Sequence, residues 1–205
     1  MKKLVVEFSN ERLITPSGLS LVGQMLGKSN FIKKCNNMKI DGKRSQSQIK
    51  NGDILLSYIG LLCQGKTSYD AIHEMSDDPE YFKLALGITR AIPSAETLRQ
   101  RMDDIGSSLR EEILNAKFDT NELVLELTVI AYNILRLIGQ ESLKSKRSPK
   151  TKHPVKRRRI RTVIGNLIQI AGHVTTHGRR IILAIGCSNI WRHAFMDVYN
   201  RFALG

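Results

Sequence analysis

Acidic side chains would carry metal-dependent chemistry on phosphodiesters, and this chain offers few that could converge. Two-metal phosphoryl transfer requires carboxylates around ions about 4 Å apart, held by rigid strands and a helix. No run of alternating strands is predicted that could hold them, so no catalytic or metal-binding residue is assigned and no cofactor is expected. The acids of residues 1–116 lie mostly in helix-capping or surface-helix contexts, among them Asp77, Asp78, Asp103, Asp104, Glu111 and Glu112. Residues 117–205 add only five acids, which are Asp119, Glu122, Glu126, Glu141 and Asp197.

Histidine and cysteine give no stronger signal. His173 and His177 stand four residues apart and would share one face of a helix, but neither an H-E-x-x-H pattern nor a third ligand accompanies them. An ordinary polar face is the favoured interpretation. Cys35, Cys63 and Cys187 are scattered and odd in number, which favours reduced thiols over a disulfide framework or a zinc site.

Basic side chains form the second group with chemical consequences. The chain has 205 residues and a net charge of +13. Residues 1–116 hold 16 Lys/Arg against 14 Asp/Glu, whereas residues 117–205 hold 16 against 5. Such an asymmetry indicates an anionic polymer as partner, either nucleic acid or an anionic membrane surface.

Residues 144–161 concentrate this charge, because they contain ten Lys/Arg and no acid. Clustered cations neutralise phosphates and release counterions, which favours contact with a polyanion over the alternative, a solvated linker. Such contact carries no sequence specificity. Pro149 and Pro154 predict a flexible arm for the first part. The candidate contacts are Lys144, Lys146, Arg147, Lys150, Lys152, Lys156, Arg157, Arg158, Arg159 and Arg161.

A second candidate interface begins after "KTSYDAIHEM", at "IPSAETLRQRM". Ser94 is the predicted N-cap of a helix whose apolar stripe starts at Leu98, and Arg99 and Arg101 are predicted to face outward. Short helices before an arginine-bearing helix suit a helix-turn-helix, and they suit a plain helical bundle with a charged outer face equally well. The candidate contacts are Glu96, Thr97, Arg99, Gln100 and Arg101.

The elements that must position these residues are mostly helices, so the predicted fold class is mainly α. We expect a helical N-terminal region with the helix-turn-helix, long C-terminal helices, and at most one small two-stranded β element, which would pair Lys3–Phe8 with "RRIILAIG". The strongest helix predictions are 19–38, 49–63, 77–87, 94–113, 121–139, 155–177 and a closing helix at "IWRHAFMDVYNRFA".

Membrane attachment is not expected from this sequence. The apolar run near the N-terminus covers only Leu4–Val6, which is too short for a secretion signal. No stretch approaches the roughly 18 uninterrupted apolar residues of a membrane span. A cytoplasmic protein is therefore the expectation.

Several long segments resemble bacterial insertion-sequence transposases of the DDE type, in the branch catalogued as number thirteen-eighty. "TPSGLSLVGQMLGKSNF", "KNGDILLSYIGLLCQGKTSYDAI" and "IPSAETLRQRMDD" are similar to the N-terminal region of that family. "FDTNELVLELTVIAYNILRLIGQESL" and "KHPVKRRRIRTVIGNLIQIAGHVTTHGRR" are similar to its C-terminal region. Together these segments comprise 108 of the 205 residues and lie between positions 15 and 180.

The resemblance implies that a catalytic core is missing from this chain. Family members carry a ribonuclease-H-like sheet between the two regions, and its two aspartates and one glutamate bind Mg²⁺ or Mn²⁺. Here Ala116 runs directly into Lys117. Asp119, Glu122 and Glu126 match the segment after the family's glutamate, so none inherits its role. We therefore expect two regions, 1–116 and 117–205, joined without the catalytic sheet.

We expect a catalytically inactive transposase remnant that binds DNA, either at insertion-element ends or as non-specific duplex. The alternatives are a basic nucleic-acid-binding protein without a mobile-element role and a minimal active transposase with relocated carboxylates. The helix at Asn121–Gly139 is apolar nearly all round and would pack on the missing sheet in the intact family. It must find another cover here, or self-association or pairing with intact transposase follows.

Overall fold

The computed structural model describes residues 12–37, 49–113, 120–150, 153, 155–177 and 180–204. Within these residues the chain is mainly helical with one small antiparallel sheet, which confirms the predicted fold class. The predicted strand Lys3–Phe8, Lys152 and the junction between Ala116 and Lys117 lie outside the described residues. The helices are α1 (Leu19–Gly27), α2 (Phe31–Asn37), α3 (Asn51–Cys63), α4 (His73–Ser76), α5 (Pro79–Leu86), α6 (Ala95–Ile113), α7 (Thr120–Lys144), α8 (Ile160–Val163) and α9 (Arg192–Leu204).

The single helix predicted over residues 19–38 is instead two helices, because a serine interrupts it. The Ser29 hydroxyl donates to the Leu26 carbonyl at 2.7 Å and accepts from the Phe31 amide at 3.3 Å. These bonds supply local partners to backbone groups that a continuous helix would pair within itself. The chain therefore turns between α1 and α2.

The predicted buried helix at residues 49–63 is confirmed as α3, which is buried along nearly its whole length. Lys50 holds its N-cap position and makes no side-chain cap bond. Asp53 is fully buried and accepts hydrogen bonds from the amides of Thr89 and Arg90, at 2.9 and 3.1 Å. Its carboxylate thereby ties α3 to the segment that leads into α6.

The starts of α5 and α6 follow the predicted capping chemistry. Asp78 accepts from the Tyr81 amide at 3.1 Å, Pro79 occupies the first helical turn, and Gly87 ends α5 with a φ of 77°. Ser94 accepts from the Thr97 amide at 3.2 Å. The predicted apolar stripe of α6 is buried from its first turns, at Leu98, Met102 and Ile105.

Helix α7 finds its cover among other helices. One face packs against α3, α6, α8 and α9, and its buried side chains include Leu123, Leu127, Ala131, Ile134, Leu135 and Ile138. The opposite face leaves Leu125, Val129 and Tyr132 exposed. The expectation that this helix needs another cover is therefore met on one side only.

The prediction of one long helix over residues 155–177 is wrong. The chain is extended at Arg159, helical only over α8 and a π-type turn at Ile164–Ile168, and then forms strand β2 (Gly172–His177). The β-branched residues Val174, Thr175 and Thr176 suit a strand, where they pair with β3 (Arg180–Ile185). The apolar periodicity of the sequence suggests a helix because it carries no information about pairing with a distant strand.

The sheet has one more strand than expected. Strand β1 (Leu13–Ile14) pairs antiparallel with β2, and β2 pairs antiparallel with β3, so the strand order is β1–β2–β3. The predicted strand at "RRIILAIG" is confirmed as β3. Its partner is the strand formed within the segment predicted to be helical.

A tight turn at residues 15–18 joins the beginning of the described chain to its C-terminal half. The amides of Ser17 and Gly18 donate to the carbonyls of Ile170 and Ile168, at 3.0 and 2.9 Å. A Cβ at Gly18 would collide with the carbonyl of Leu167, so only glycine permits this approach. Residues from both predicted regions therefore share one hydrophobic core, while the boundary between residues 1–116 and 117–205 stays a prediction.

Candidate nucleic-acid interface

The five candidate residues at the start of α6 are only partly available to a ligand. Glu96, Arg99 and Gln100 are exposed, and Thr97 is half-buried within the helix cap. Arg99 pairs with Glu96 at 2.9 Å and lies 5.9 Å from the ring centre of Tyr69. The cation nearest the expected DNA surface is thus shared with an acid on its own helix.

Arg101 was expected to face outward, and the structure turns it inward. Its guanidinium donates to the side-chain oxygen of Asn51 at the start of α3. Its Nε is buried and has no partner in the described part of the chain. Arg101 therefore joins α6 to α3, because the two helices pack against each other there.

The turn between α5 and α6 is longer than that of a helix-turn-helix. The connection covers residues 87–94, whereas the motif uses a turn of about 3–4 residues. Helix α5 packs mainly on α1, and α6 packs on α3 and α7. A DNA contact by the start of α6 stays a prediction, but it would not have the usual geometry of the motif.

In the basic segment, two cations are neutralised by acids of the same region. Lys144 and Arg201 both pair with Glu141, and Arg147 pairs with Asp197 of α9. Burial acts to raise the pKa of Glu141, but hydrogen bonds from Lys144 and Arg201 outweigh it and the pKa lies below its ordinary value. The Lys144 pair lies within α7, whereas Arg201 holds α7 against α9 and Arg147 holds the following turn against α9.

Asp197 is held as a carboxylate by the same contacts. The Arg147 guanidinium donates to one carboxylate oxygen, and the Ser145 hydroxyl donates to the other at 2.5 Å. The hydrogen bond from Arg147, reinforced by that from Ser145, lowers the pKa of Asp197. Residues 145–147, which were predicted as the beginning of a flexible arm, are therefore fastened to α9.

Arg158 differs from its basic neighbours because it points into the protein. Its Nε donates to the Ser142 hydroxyl at 2.9 Å, and its Nη2 donates to the Ser148 hydroxyl and the Pro149 carbonyl, at 2.5 and 3.2 Å. The guanidinium also lies 4.6 Å from the ring centre of Trp191. Burial lowers the pKa of Arg158.

The remaining described cations of the segment form the exposed surface, which we call the basic strip. They have no acidic partner among the residues that the structure describes, and the predicted contact Lys152 lies outside that set. The strip consists of Lys146, Lys150, Lys156, Arg157, Arg159 and Arg161. Because these charges are not neutralised internally, they are available to an anionic ligand.

Arg136 adds a cation that the sequence did not single out. It stands alone in the apolar stretch of α7, eight positions before the basic run begins. A search of the sequence for clustered charges therefore does not identify it. In the structure it is exposed and one turn from Gly139, where a Cβ would lie 3.6 Å from the Cβ of Arg158. The segment that carries Arg158 therefore crosses α7 at Gly139, one turn along the helix from Arg136.

The carboxylates serve mainly as ion-pair partners and caps. Asp78 pairs with Arg12 while capping α5, and Glu122 and Glu126 are exposed on α7. No group of three or more His, Cys, Asp or Glu side chains in the described ranges is placed to hold a metal ion. His173 and His177 lie on a strand, where four residues span about 13 Å, too far apart to share an ion.

A membrane-spanning helix must be both long and apolar, and none of the helices in the described ranges meets both conditions.

Comparison of the chain with protein-family models, with curated proteins and with solved structures gives no match. The likeness to the thirteen-eighty transposases therefore rests on the quoted sequence segments alone.

Proposed function

We propose that this protein binds duplex DNA through the basic strip and Arg136. The observation that carries the proposal is the exposure of these cations without acidic partners in the described residues, on a chain of net charge +13. Lysine and arginine side chains presented this way bind phosphates by displacing condensed counterions. Because such contacts read no bases, this surface supplies affinity and orientation, and sequence preference requires further contacts such as those predicted at α6.

As to origin, we propose a remnant of an insertion-sequence DDE transposase that retains DNA binding and lacks strand cleavage. Support comes from the segments similar to both ends of that family and from the direct succession of Ala116 and Lys117. Insertion-element ends would then be the preferred target. A cytoplasmic location belongs to the same proposal, because a bacterial chromosome is the ligand.

The binding test is a titration of labelled duplex DNA by fluorescence anisotropy across a salt series. We expect steep salt dependence, since each phosphate contact contributes about 0.9 to the slope of log K against log salt. The triple variant Arg157→Gln, Arg159→Gln, Arg161→Gln should reduce that slope by about 2 to 3. The control Lys28→Gln, Lys33→Gln, Lys34→Gln removes the same charge from the other half of the chain and should leave the slope nearly unchanged.

Equal effects of the two triple variants would mean that binding follows net charge alone, and the basic strip would lose its role.

The same titration, repeated with element ends and with random duplex, distinguishes the transposase remnant from the alternative function. Element ends bound more tightly than random duplex would favour the transposase remnant, whereas equal affinity would favour a basic nucleic-acid-binding protein without a mobile-element role.

The third candidate, a minimal active transposase, has its own test. Purified protein incubated with element ends and Mg²⁺ or Mn²⁺ should produce no cleaved strands if the remnant proposal is right. Metal-dependent nicks at the ends would establish the active alternative.

A partnership with the protein itself or with intact transposase is the remaining part of the proposal. The exposed Leu125, Val129 and Tyr132 of α7 support it, because a contiguous apolar surface favours association. In cells that carry an active element, co-expression should lower the transposition frequency. An unchanged frequency would show that this protein does not inhibit the intact transposase.

A further inference from the structure

Arg158 is surrounded on several sides by groups of this protein. Three of its hydrogen-bond partners come from the end of α7 and from the segment just after it, namely Ser142, Ser148 and Pro149. Trp191, at the start of α9, provides the aromatic face at 4.6 Å and is itself buried. One side chain therefore connects three separate stretches of the chain.

The neighbouring cations have the opposite environment. Arg157 and Arg159 are exposed and have no acidic partner in the described residues, and the backbone at Arg159 is extended. Arg158 turns towards the protein, whereas the side chains on either side of it are exposed. Holding Arg158 in place therefore fixes the backbone that carries Arg157 and Arg159.

We propose that Arg158 is a positioning residue, which presents Arg157, Arg159 and Arg161 to the sugar-phosphate backbone of duplex DNA without contacting a phosphate itself. Its planar guanidinium stacks on Trp191 and donates in fixed directions, a combination that a lysine ammonium does not reproduce. These contacts hold the backbone on either side of Arg158 before the ligand arrives, so binding does not have to order it.

This inference rests on the proposed DNA binding, and charge-conserving variants separate the two. Arg158→Lys keeps every charge but loses the stack and the directed donors, so we expect duplex affinity to fall about tenfold with an unchanged salt slope. Trp191→Leu, which removes no charge, should weaken binding similarly. Trp191→Phe retains an aromatic face and should restore most of the affinity.

Two single-charge variants give the decisive contrast. Arg157→Gln should lower the salt slope by about 0.9, as expected for a lost phosphate contact. Arg158→Gln should lower affinity while leaving the slope unchanged. An Arg158→Gln slope that falls as far as that of Arg157→Gln would place Arg158 on a phosphate and overturn the proposal.

A measurement on the free protein guards against misfolding of these variants. The amides of Thr162 and Val163 donate to the Arg159 carbonyl, at 3.0 and 3.2 Å. Their hydrogen exchange should speed up in Arg158→Lys and in the milder Ser148→Ala, while α3 keeps its protection. Unchanged exchange and unchanged affinity in both variants would also overturn the proposal. If wild-type protein binds no duplex, or if Arg157→Gln leaves the slope unchanged, the proposed DNA interface fails instead.

Discussion

Two glycines of α1, Gly23 in the middle of the helix and Gly27 at its last position, have different neighbours. A Cβ on Gly23 would overlap the backbone carbonyl of Ala85, where α1 crosses α5, whereas a Cβ on Gly27 would meet nothing within 4 Å. Helix propensity favours alanine at either position. Packing reverses that preference at Gly23, because the atom in the way belongs to a backbone that cannot rotate aside.

We therefore expect Gly23→Ala to lower the free energy of unfolding by about 1 to 3 kcal/mol through overpacking. Gly27→Ala, in the same helix, should raise it by about 0.5 to 1 kcal/mol. Urea unfolding followed by circular dichroism measures both values. Stabilisation by Gly23→Ala would show that the α1–α5 crossing is looser than described.

The arginines show the same dependence on neighbours at the residue scale. Arg101, Arg147 and Arg158 are used within the protein, although each belongs to a sequence stretch that predicts DNA contact. Arg157 and Arg159 are exposed. Residue type alone therefore identifies a basic region but not which of its members reach a ligand.

At the scale of elements, the start of α5 is fastened to β1 by charge. Arg12 donates two hydrogen bonds to the Asp78 carboxylate and a third, at 2.9 Å, to Glu80. The hydrogen bond from Arg12 lowers the pKa of Asp78 from its ordinary value of 3.8. Asp78 also caps α5, so this one carboxylate serves both the helix start and the ion pair.

A depressed folded-state pKa means that the unfolded chain takes up the proton first. The contribution of Asp78 to stability is therefore complete above about pH 5 and is lost as pH falls below 3.8 through the folded value. Asp78→Asn keeps the capping oxygen and removes the charge. We expect its free energy of unfolding to decline less than that of wild type between pH 6 and pH 3, as measured by urea titrations.

Arg12→Gln provides the matched test, because it removes the partner and leaves the carboxylate. It should flatten the same acid limb, since the largest cause of the lowered pKa of Asp78 is gone. Parallel pH profiles for wild type and both variants would contradict the role given to this ion pair.

At the scale of the whole molecule, α7 connects the two predicted regions. Its Leu127 is 2% exposed in the core shared with α3 and α6, while Leu125, two residues away, is 65% exposed. Leu127→Ala should lower the free energy of unfolding by about 2 to 4 kcal/mol. Leu125→Ala should change it by less than about 0.5 kcal/mol.

Both variants should unfold in one transition, with coincident curves from circular dichroism and from the fluorescence of Trp191. Coincidence is expected because burial in one core couples the two regions. Separate transitions for the two signals would mean that residues 1–116 and 117–205 fold independently.

The sequence by itself determined the features that depend on local chemistry. The caps of α5 and α6, the buried character of α3, the strand β3 and the basic run all follow from residues close in the chain. Helix starts are satisfied by side chains within three residues, so a short stretch suffices to predict them. The predominance of helix follows for the same reason.

Only the tertiary structure decided the features that depend on distant partners. Residues 172–177 form a strand because β1 and β3 pair with them, although their apolar spacing also suits a helix. Arg158 lies against α7 at Gly139 because the chain returns to this helix nineteen residues later. Arg158 turns inward because Trp191, which directly precedes α9, provides an aromatic face for it. Which cation faces a ligand is settled by the groups that surround it, and distant parts of the chain supply those groups.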